Sequence, residues 1–312
     1  MMKRADLKKK VLEIVNTPPP EDLDAAYMDA PEAFRAAHAR ATSTKDRSAY
    51  SISGFSALSK ATGGLRPNGF SILCGPTGAG KTTLLANLWM QFRAMGLPTF
   101  TAPVENGKED FLEMLVSIAT GKSRLMMNTQ DWHDAKEVTA PALFDDRRFT
   151  FSNHESRLSH LDLLTDIYHS YLKKGTKLAL CDNWQFMLDI KSGRDVNFES
   201  DKALHEVVVF TKQVPVHIFM VMHPKKTEDE RVSSIFDIKG SSTSMQEAHN
   251  IWLFNRLKDS KEIPDSPLFN MSPEFCREIT VGKARYNGRS VGSRIIYSLD
   301  HTCERYTEYK TS

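Results

Sequence analysis

The sequence predicts an α/β fold: a mainly parallel sheet covered by helices on both faces, with antiparallel strands added at its C-terminal end. Three observations predict it. Apolar runs of strand length (Phe70–Cys74, Lys177–Asp182, Val216–Met222) alternate with segments of helical period. A glycine loop, Gly75-Pro-Thr-Gly-Ala-Gly-Lys-Thr82, joins the first of these runs directly to the helical stretch Leu84–Phe92. From about residue 276 to 310 the pattern becomes alternating, with turn signals at Asn287-Gly288 and near Asp300.

Taken in order, residues 1–47 read as a separate helical arm and linker, and 48–312 as the main domain. Ala5–Val15 has helical spacing with a lysine-rich face and stops at Pro18-Pro-Pro20. Leu23–Ala41 is alanine-rich and helical, and Thr42–Ser48 is a linker. The segment is too thinly apolar to form a core alone. It reads either as an arm that packs on a neighbouring subunit or as a flexible basic tail. Ser53–Gly69 is a short helix and turn before the glycine loop. Pro98–Glu105 is a strand ending in an acid, Lys108–Thr120 an amphipathic helix, and 121–147 polar and helical in pieces. Arg148–Ser152 is a short strand and Leu158–Lys173 a helix. After Lys177–Asp182 come a loop with Gly193 and a helix over Phe198–Val214. Beyond Val216–Met222, Pro224–Arg231 is a charged loop, Ser241–His249 a helix, Ile251–Phe254 a strand and Lys258–Pro273 a polar excursion.

Composition excludes little. A formal charge of +2 over 312 residues leaves a nucleic-acid partner open. No apolar run is long enough to span a membrane. Cys74, Cys181, Cys276 and Cys303 are widely spaced, without a C-x-x-C pair, which reads as reduced thiols in a cytoplasmic setting and argues against zinc.

The chemistry is concentrated at a few positions. Strand, G-x-x-x-x-G-K-T and helix in that order are the context of a P-loop. Backbone N–H groups of Gly75, Pro76, Thr77, Gly78, Ala79, Gly80, Lys81, Thr82 and Thr83 (proline excepted) line a phosphate cradle at a helix N-terminus. Lys81 reaches the β- and γ-phosphates of ATP, and the Thr82 hydroxyl ligates Mg²⁺. Asp182, at the end of an apolar strand, reads as the acid that supports Mg²⁺, or as a turn aspartate. Glu105 reads as the base that activates water, or as a surface acid capping the next helix. His223, at a strand end, reads as a reader of the γ-phosphate or as an unremarkable histidine. Lys283 and Arg285 read as cations offered to the γ-phosphate of a neighbouring subunit, or as solvated charges on an edge strand. Lys225, Lys226, Arg231, Lys239, Ser241 and Ser242 are candidate DNA contacts; acids at 228–230 favour a plain solvated loop instead.

The ordered set resembles the RecA-type motor domain of ring-shaped replicative DNA helicases, the family of DnaB, the phage primase-helicases and Twinkle. The matching stretches are Gly54-Phe-Ser-Ala-Leu58 with Gly64–Phe70, the P-loop, Val104-Glu105, Asp182-Asn-Trp-Gln-Phe-Met-Leu188, Val221-Met-His-Pro-Lys-Lys226, Ser234–Phe254 and Lys283-x-Arg285-x-x-Gly288. The resemblance implies a RecA-like core and ATP hydrolysed with Mg²⁺ at subunit interfaces. It further implies a homo-oligomeric, hexameric ring around single-stranded DNA, with a primase or loader as candidate partners. His223 stands where the Twinkle and phage branch carries histidine. Only about 50 residues precede the motor. Two other functions fit the same residues: a DNA-binding ATPase of this fold that does not unwind, and an ATP-gated protein-interaction switch.

Overall fold

The computed structural model describes residues 3–18, 21, 28–42, 49–154, 158–188, 196–225, 231–239, 242–257 and 275–309. The expected Gly193 loop and the 258–273 excursion lie outside these residues.

Nine strands form one sheet in the order β3-β2-β4-β5-β1-β6-β7-β8-β9. They are β1 Phe70–Cys74, β2 Thr99–Pro103, β3 Thr150–Phe151, β4 Leu178–Asp182, β5 His217–Met222, β6 Asn250–Arg256, β7 Cys276–Ala284, β8 Arg294–Asp300 and β9 Arg305–Glu308. Strands β3 to β6 in that order pair in parallel, and β6-β7-β8-β9 pair antiparallel. This is the predicted architecture.

Alternation along each strand explains why both faces are covered. On β5, Ile218, Met220 and Met222 enter one core while Phe219 and Val221 enter the other. The first core is closed by α8 (His160–Lys174) and α9 (Val196–Gln213). The second is closed by α3 (Ser56–Thr62), α4 (Lys81–Ala94) and α5 (Gly107–Thr120). Short helices α6 (Thr129–Asp134) and α7 (Ala140–Phe144) flank a π-turn at 135–139, and α10 (Ser242–Glu247) precedes β6.

Helix α1 (Arg4–Val15) lies on α8 and α9 of its own chain. Leu7, Val11 and Val15 recur at helical spacing and are buried, and the first two turns are tied to α8 by Arg4–Asp166 at 2.6 Å and Lys8–Asp162 at 2.8 Å. Helix α2 spans Ala30–Thr42. No described helix is long and apolar enough to cross a membrane.

Candidate active site

The C-terminal ends of β1, β2, β4 and β5 meet at one edge of the sheet, where open α/β sheets place their ligands. The P-loop leaves β1 there. Gly75 passes so close to β6 that a Cβ would sit 2.4 Å from the Phe254 carbonyl oxygen. Gly80, at φ +95°, caps α4 in a conformation that suits glycine alone, and a Cβ would lie 2.6 Å from Tyr306 Oη. Behind the loop, Arg277 Nε donates to the Ala79 carbonyl at 2.8 Å. In a trans peptide C=O and N–H point in opposite directions, so this bond points the Gly80 N–H away from Arg277.

Lys81 Nζ donates to the Pro76 carbonyl at 2.8 Å and lies 3.5 Å from His223 Nδ1. Burial lowers its pKa, opposed by the charges of Asp182 and Glu105. Thr82 Oγ1 donates to Asp182 Oδ2 at 2.6 Å. The other oxygen, Asp182 Oδ1, is buried and has no hydrogen-bond partner among the described residues. Burial pushes this carboxyl up to about 6, despite the Thr82 bond. A buried, partnerless carboxylate oxygen beside a threonine hydroxyl is a fit for Mg²⁺, which takes one or two carboxylates together with substrate phosphates and waters. Among the described residues no cluster of three or more His, Cys, Asp or Glu forms a protein-only metal cage.

Strand β2 ends at Pro103, two residues before the expected acid. The chain turns because the N–H groups of Val104 and Glu105 both donate to the Asp182 carbonyl, at 2.6 and 3.1 Å. That turn sets Glu105 beside the β4 terminus. Asn183, joined to Asp182 by a cis peptide, bridges two groups: its Nδ2 donates to Glu105 Oε2 and lies 2.9 Å from His223 Nε2. Both ring nitrogens thus face donors, Nε2 the Asn183 amide and Nδ1 the Lys81 ammonium, an arrangement that disfavours adding a second ring proton. Burial, then the Lys81 charge, lower the His223 pKa, in keeping with a neutral ring.

His223 continues into a short backbone ladder. Lys239 N donates to the His223 carbonyl at 3.1 Å, and Lys225 N donates to the Asp237 carbonyl at 2.6 Å. Lys225 and Lys239 are both exposed. Arg231 is engaged elsewhere, 3.0 Å from the buried Glu278, whose other oxygen pairs with Arg294. Lys226 and Ser241 lie outside the described residues, as does the Ser242 side chain.

Lys283 and Arg285 lie at the opposite end of the sheet. Ser71, near the start of β1, is level with Asn250 and through it with Ala284, whereas the P-loop follows the end of β1. Lys283 Nζ donates to the carbonyls of Met245 and Gln246, and Arg285 Nη2 approaches the Gln246 carbonyl at 3.3 Å. Arg285 N donates to the His249 carbonyl at 2.8 Å; the His249 ring stacks on Tyr286, and Arg66 lies over that ring at 4.1 Å. Burial, then Arg285 and Lys283, push His249 down to about 4.

Residues 65–229 match the family described as AAA domain, a span of more than half of the chain. The chain belongs to this AAA domain family. With a complete P-loop at the head of α4, the AAA core is a nucleotide-binding ATP hydrolase. Its fold is shared with solved structures. A DnaB-like replicative helicase, solved with its interactions with primase, superposes with a TM-score of 0.72 at 15% identity, over 98% of this chain and 75% of that one. A second solved structure, an ATPase domain, superposes with a TM-score of 0.72 at 14% identity, over 91% of this chain and 100% of that one. At these identities the likeness is one of fold.

Within the AAA core, Lys81, Thr82, Glu105, Asp182 and His223 come together as the sequence predicts, while Lys283 and Arg285 stay apart. Asn183 and Arg277 escaped the sequence reading. Asn183 carries a faint signal, an amide directly after the strand-end acid. Arg277 carries none, because its partner Ala79 lies some two hundred residues away.

Proposed function

We propose that the protein is an ATP-driven, ring-forming DNA helicase that translocates on single-stranded DNA in replication. In this reading the P-loop backbone and Lys81 bind the triphosphate, and Thr82 and Asp182 hold Mg²⁺. When bound, Mg²⁺ neutralises charge on the β- and γ-phosphates. Glu105 orients a water and takes its proton as the water oxygen bonds to γ-phosphorus and the bond to the ADP oxygen breaks. Asn183 keeps Glu105 and His223 in register. Arg285 of a neighbouring copy adds charge in the transition state, which the opposite-end position of Lys283 and Arg285 favours.

The observation that carries the reading is the continuous connection from site to loop. Glu105, Asn183 and His223 are joined by hydrogen bonds, and the His223 carbonyl is bonded to Lys239 of the lysine-bearing segment. A change at the γ-phosphate therefore has a short physical route to that segment. The shared fold with a DnaB-like replicative helicase supports the reading.

A second reading is a DNA-binding ATPase that does not unwind, which the shared fold supports equally. Two assays on the purified chain with Mg²⁺ and ATP separate the possibilities. A helicase accelerates ATP hydrolysis on adding single-stranded DNA and displaces the strand of a forked duplex. Stimulation without displacement selects the second reading. Hydrolysis indifferent to DNA removes both and leaves the protein-interaction switch.

A further inference from the structure

The segment after His223 carries an aromatic that neither the family match nor the sequence motifs explain. Within Ile235-Phe236-Asp237-Ile238, Ile238 is buried and Ile235 packs against the core, while Phe236 is 70% exposed. Its presentation is fixed by the backbone. Ser234 Oγ accepts from Phe236 N at 3.2 Å, and Asp237 Oδ2 accepts from the N–H groups of Ser233 and Ser234 at 2.9 and 2.8 Å. The turn is seated against β7, where a Cβ on Gly282 would lie 2.8 Å from Ile235 Cγ2. Ordering the backbone in this way holds a large apolar ring in water at one defined place, where a mobile loop would let it fold back.

Lysines stand on either side of the ring in the chain, and the neighbouring acid, Asp237, is turned to the N–H groups of Ser233 and Ser234. Lys225 Nζ donates to the Phe236 carbonyl at 3.0 Å, and Lys239 is exposed three residues on. An exposed aromatic in a segment that carries exposed lysines is the combination that single strands recognise: phosphates meet the cations, and a base, unpaired and with its face free, stacks on the ring. Phe34, equally exposed, differs in facing His38 of its own helix.

We propose that Phe236 is a base-stacking platform for single-stranded DNA, with Lys225 and Lys239 taking the flanking phosphates. The proposal rests on the reading that this segment meets DNA, and deepens it by naming the part of the strand that is gripped. Because the Lys239 N–H is bonded to the His223 carbonyl, the platform is tied by backbone to the histidine that lies 3.5 Å from Lys81 of the P-loop.

The test uses the whole chain with a non-hydrolysable ATP analogue and a fluorescent oligothymidylate, and compares wild type, Phe236→Leu and Phe236→Trp. Leucine keeps apolar bulk and removes the π-face; tryptophan keeps it. Phe236→Leu is expected to weaken binding about tenfold and Phe236→Trp to retain it. A strand of the same length built from abasic units should bind wild type about tenfold more weakly, with no further loss in Phe236→Leu. Equal binding of Phe236→Leu and wild type to the normal strand overturns the platform but leaves the DNA reading standing. So does an equal loss on normal and abasic strands, or a change in elution volume that makes Phe236 a contact between subunits. Wild type that binds no strand overturns both.

Discussion

The two ends of the sheet are built on opposite plans. At the P-loop end, Lys81, Thr82, Glu105, Asp182, Asn183 and His223 close on one another through hydrogen bonds. At the other end, Lys283 and Arg285 rest on the carbonyls that close α10, and no phosphate cradle stands beside them among the described residues. On the proposed reading, among the described residues, one end holds the groups for hydrolysis and the other holds cations away from any phosphate cradle, a division that two copies of the chain would complete.

The largest expected effect breaks that comparison directly. Arg285→Ala should lower ATP hydrolysis on the order of 10³-fold while leaving nucleotide binding and stability close to wild type. Among the described residues its side-chain hydrogen bonds are long, 3.3 and 3.5 Å, so little is lost. Mixed with Lys81→Ala copies it should recover activity, since an intact P-loop then faces an intact arginine. An Arg285→Ala protein that hydrolyses ATP normally, or no recovery on mixing, would place the site wholly within one chain.

At the P-loop end, Glu105→Gln should cost about 10²- to 10⁴-fold in kcat with ATP affinity kept. Asn183→Ala should cost less, about 10- to 100-fold, the worth of a hydrogen bond to a charged group. Both are read by single-turnover hydrolysis and by titration with a fluorescent ATP analogue. An Asn183→Ala loss as deep as that of Glu105→Gln would make the amide a participant in chemistry, where the geometry gives it the task of orientation.

How much of this was legible beforehand follows from how local each signal is. The P-loop, its strand and its helix lie within some twenty residues, and the glycine pattern, apolar run and helical period all sit inside one window. Glu105 and Asp182 were legible as acids at strand ends. Their mutual placement depends on parallel pairing of β2 with β4, which a sequence states only through its class. The docking of α1 was hidden because its lysine-rich face looks like a tail until Asp162 and Asp166 of α8 are brought beside it. Arg231 read as a free loop cation because nothing near it in sequence marks Glu278 as its buried partner. Arg277 behind the Ala79 carbonyl is the same case at greater distance.

The buried acid also distinguishes the two ends by pH. The Asp182 carboxyl has its folded pKa raised, to about 6 against an ordinary value of 3.8, so between those values the folded chain binds the proton more tightly than the unfolded one. Stability contributed by this group therefore falls as pH rises through that window, by about 3 kcal/mol once above it. Asp182→Asn should remove that part of the decline, seen as a smaller difference between urea midpoints at pH 4 and pH 7. Added Mg²⁺ with ADP should oppose the decline in wild type alone. The same pH trend in both proteins would mean that the carboxyl is already charged and solvated.

The smallest expected effect belongs to the segment between the ends. Lys225 is exposed, and its ammonium spends one hydrogen bond on the Phe236 carbonyl, so Lys225→Ala should leave folding and basal hydrolysis nearly unchanged. If the lysine neutralises one phosphate, the logarithm of strand affinity plotted against the logarithm of salt should lose about 0.7 in slope, the single-strand value for one contact. The measurement is a salt titration of oligothymidylate binding for wild type and variant. A uniform weakening with the slope unchanged would mean that Lys225 acts by bracing the turn under Phe236, and the comparison would then rest on Lys239 as the nearer phosphate contact.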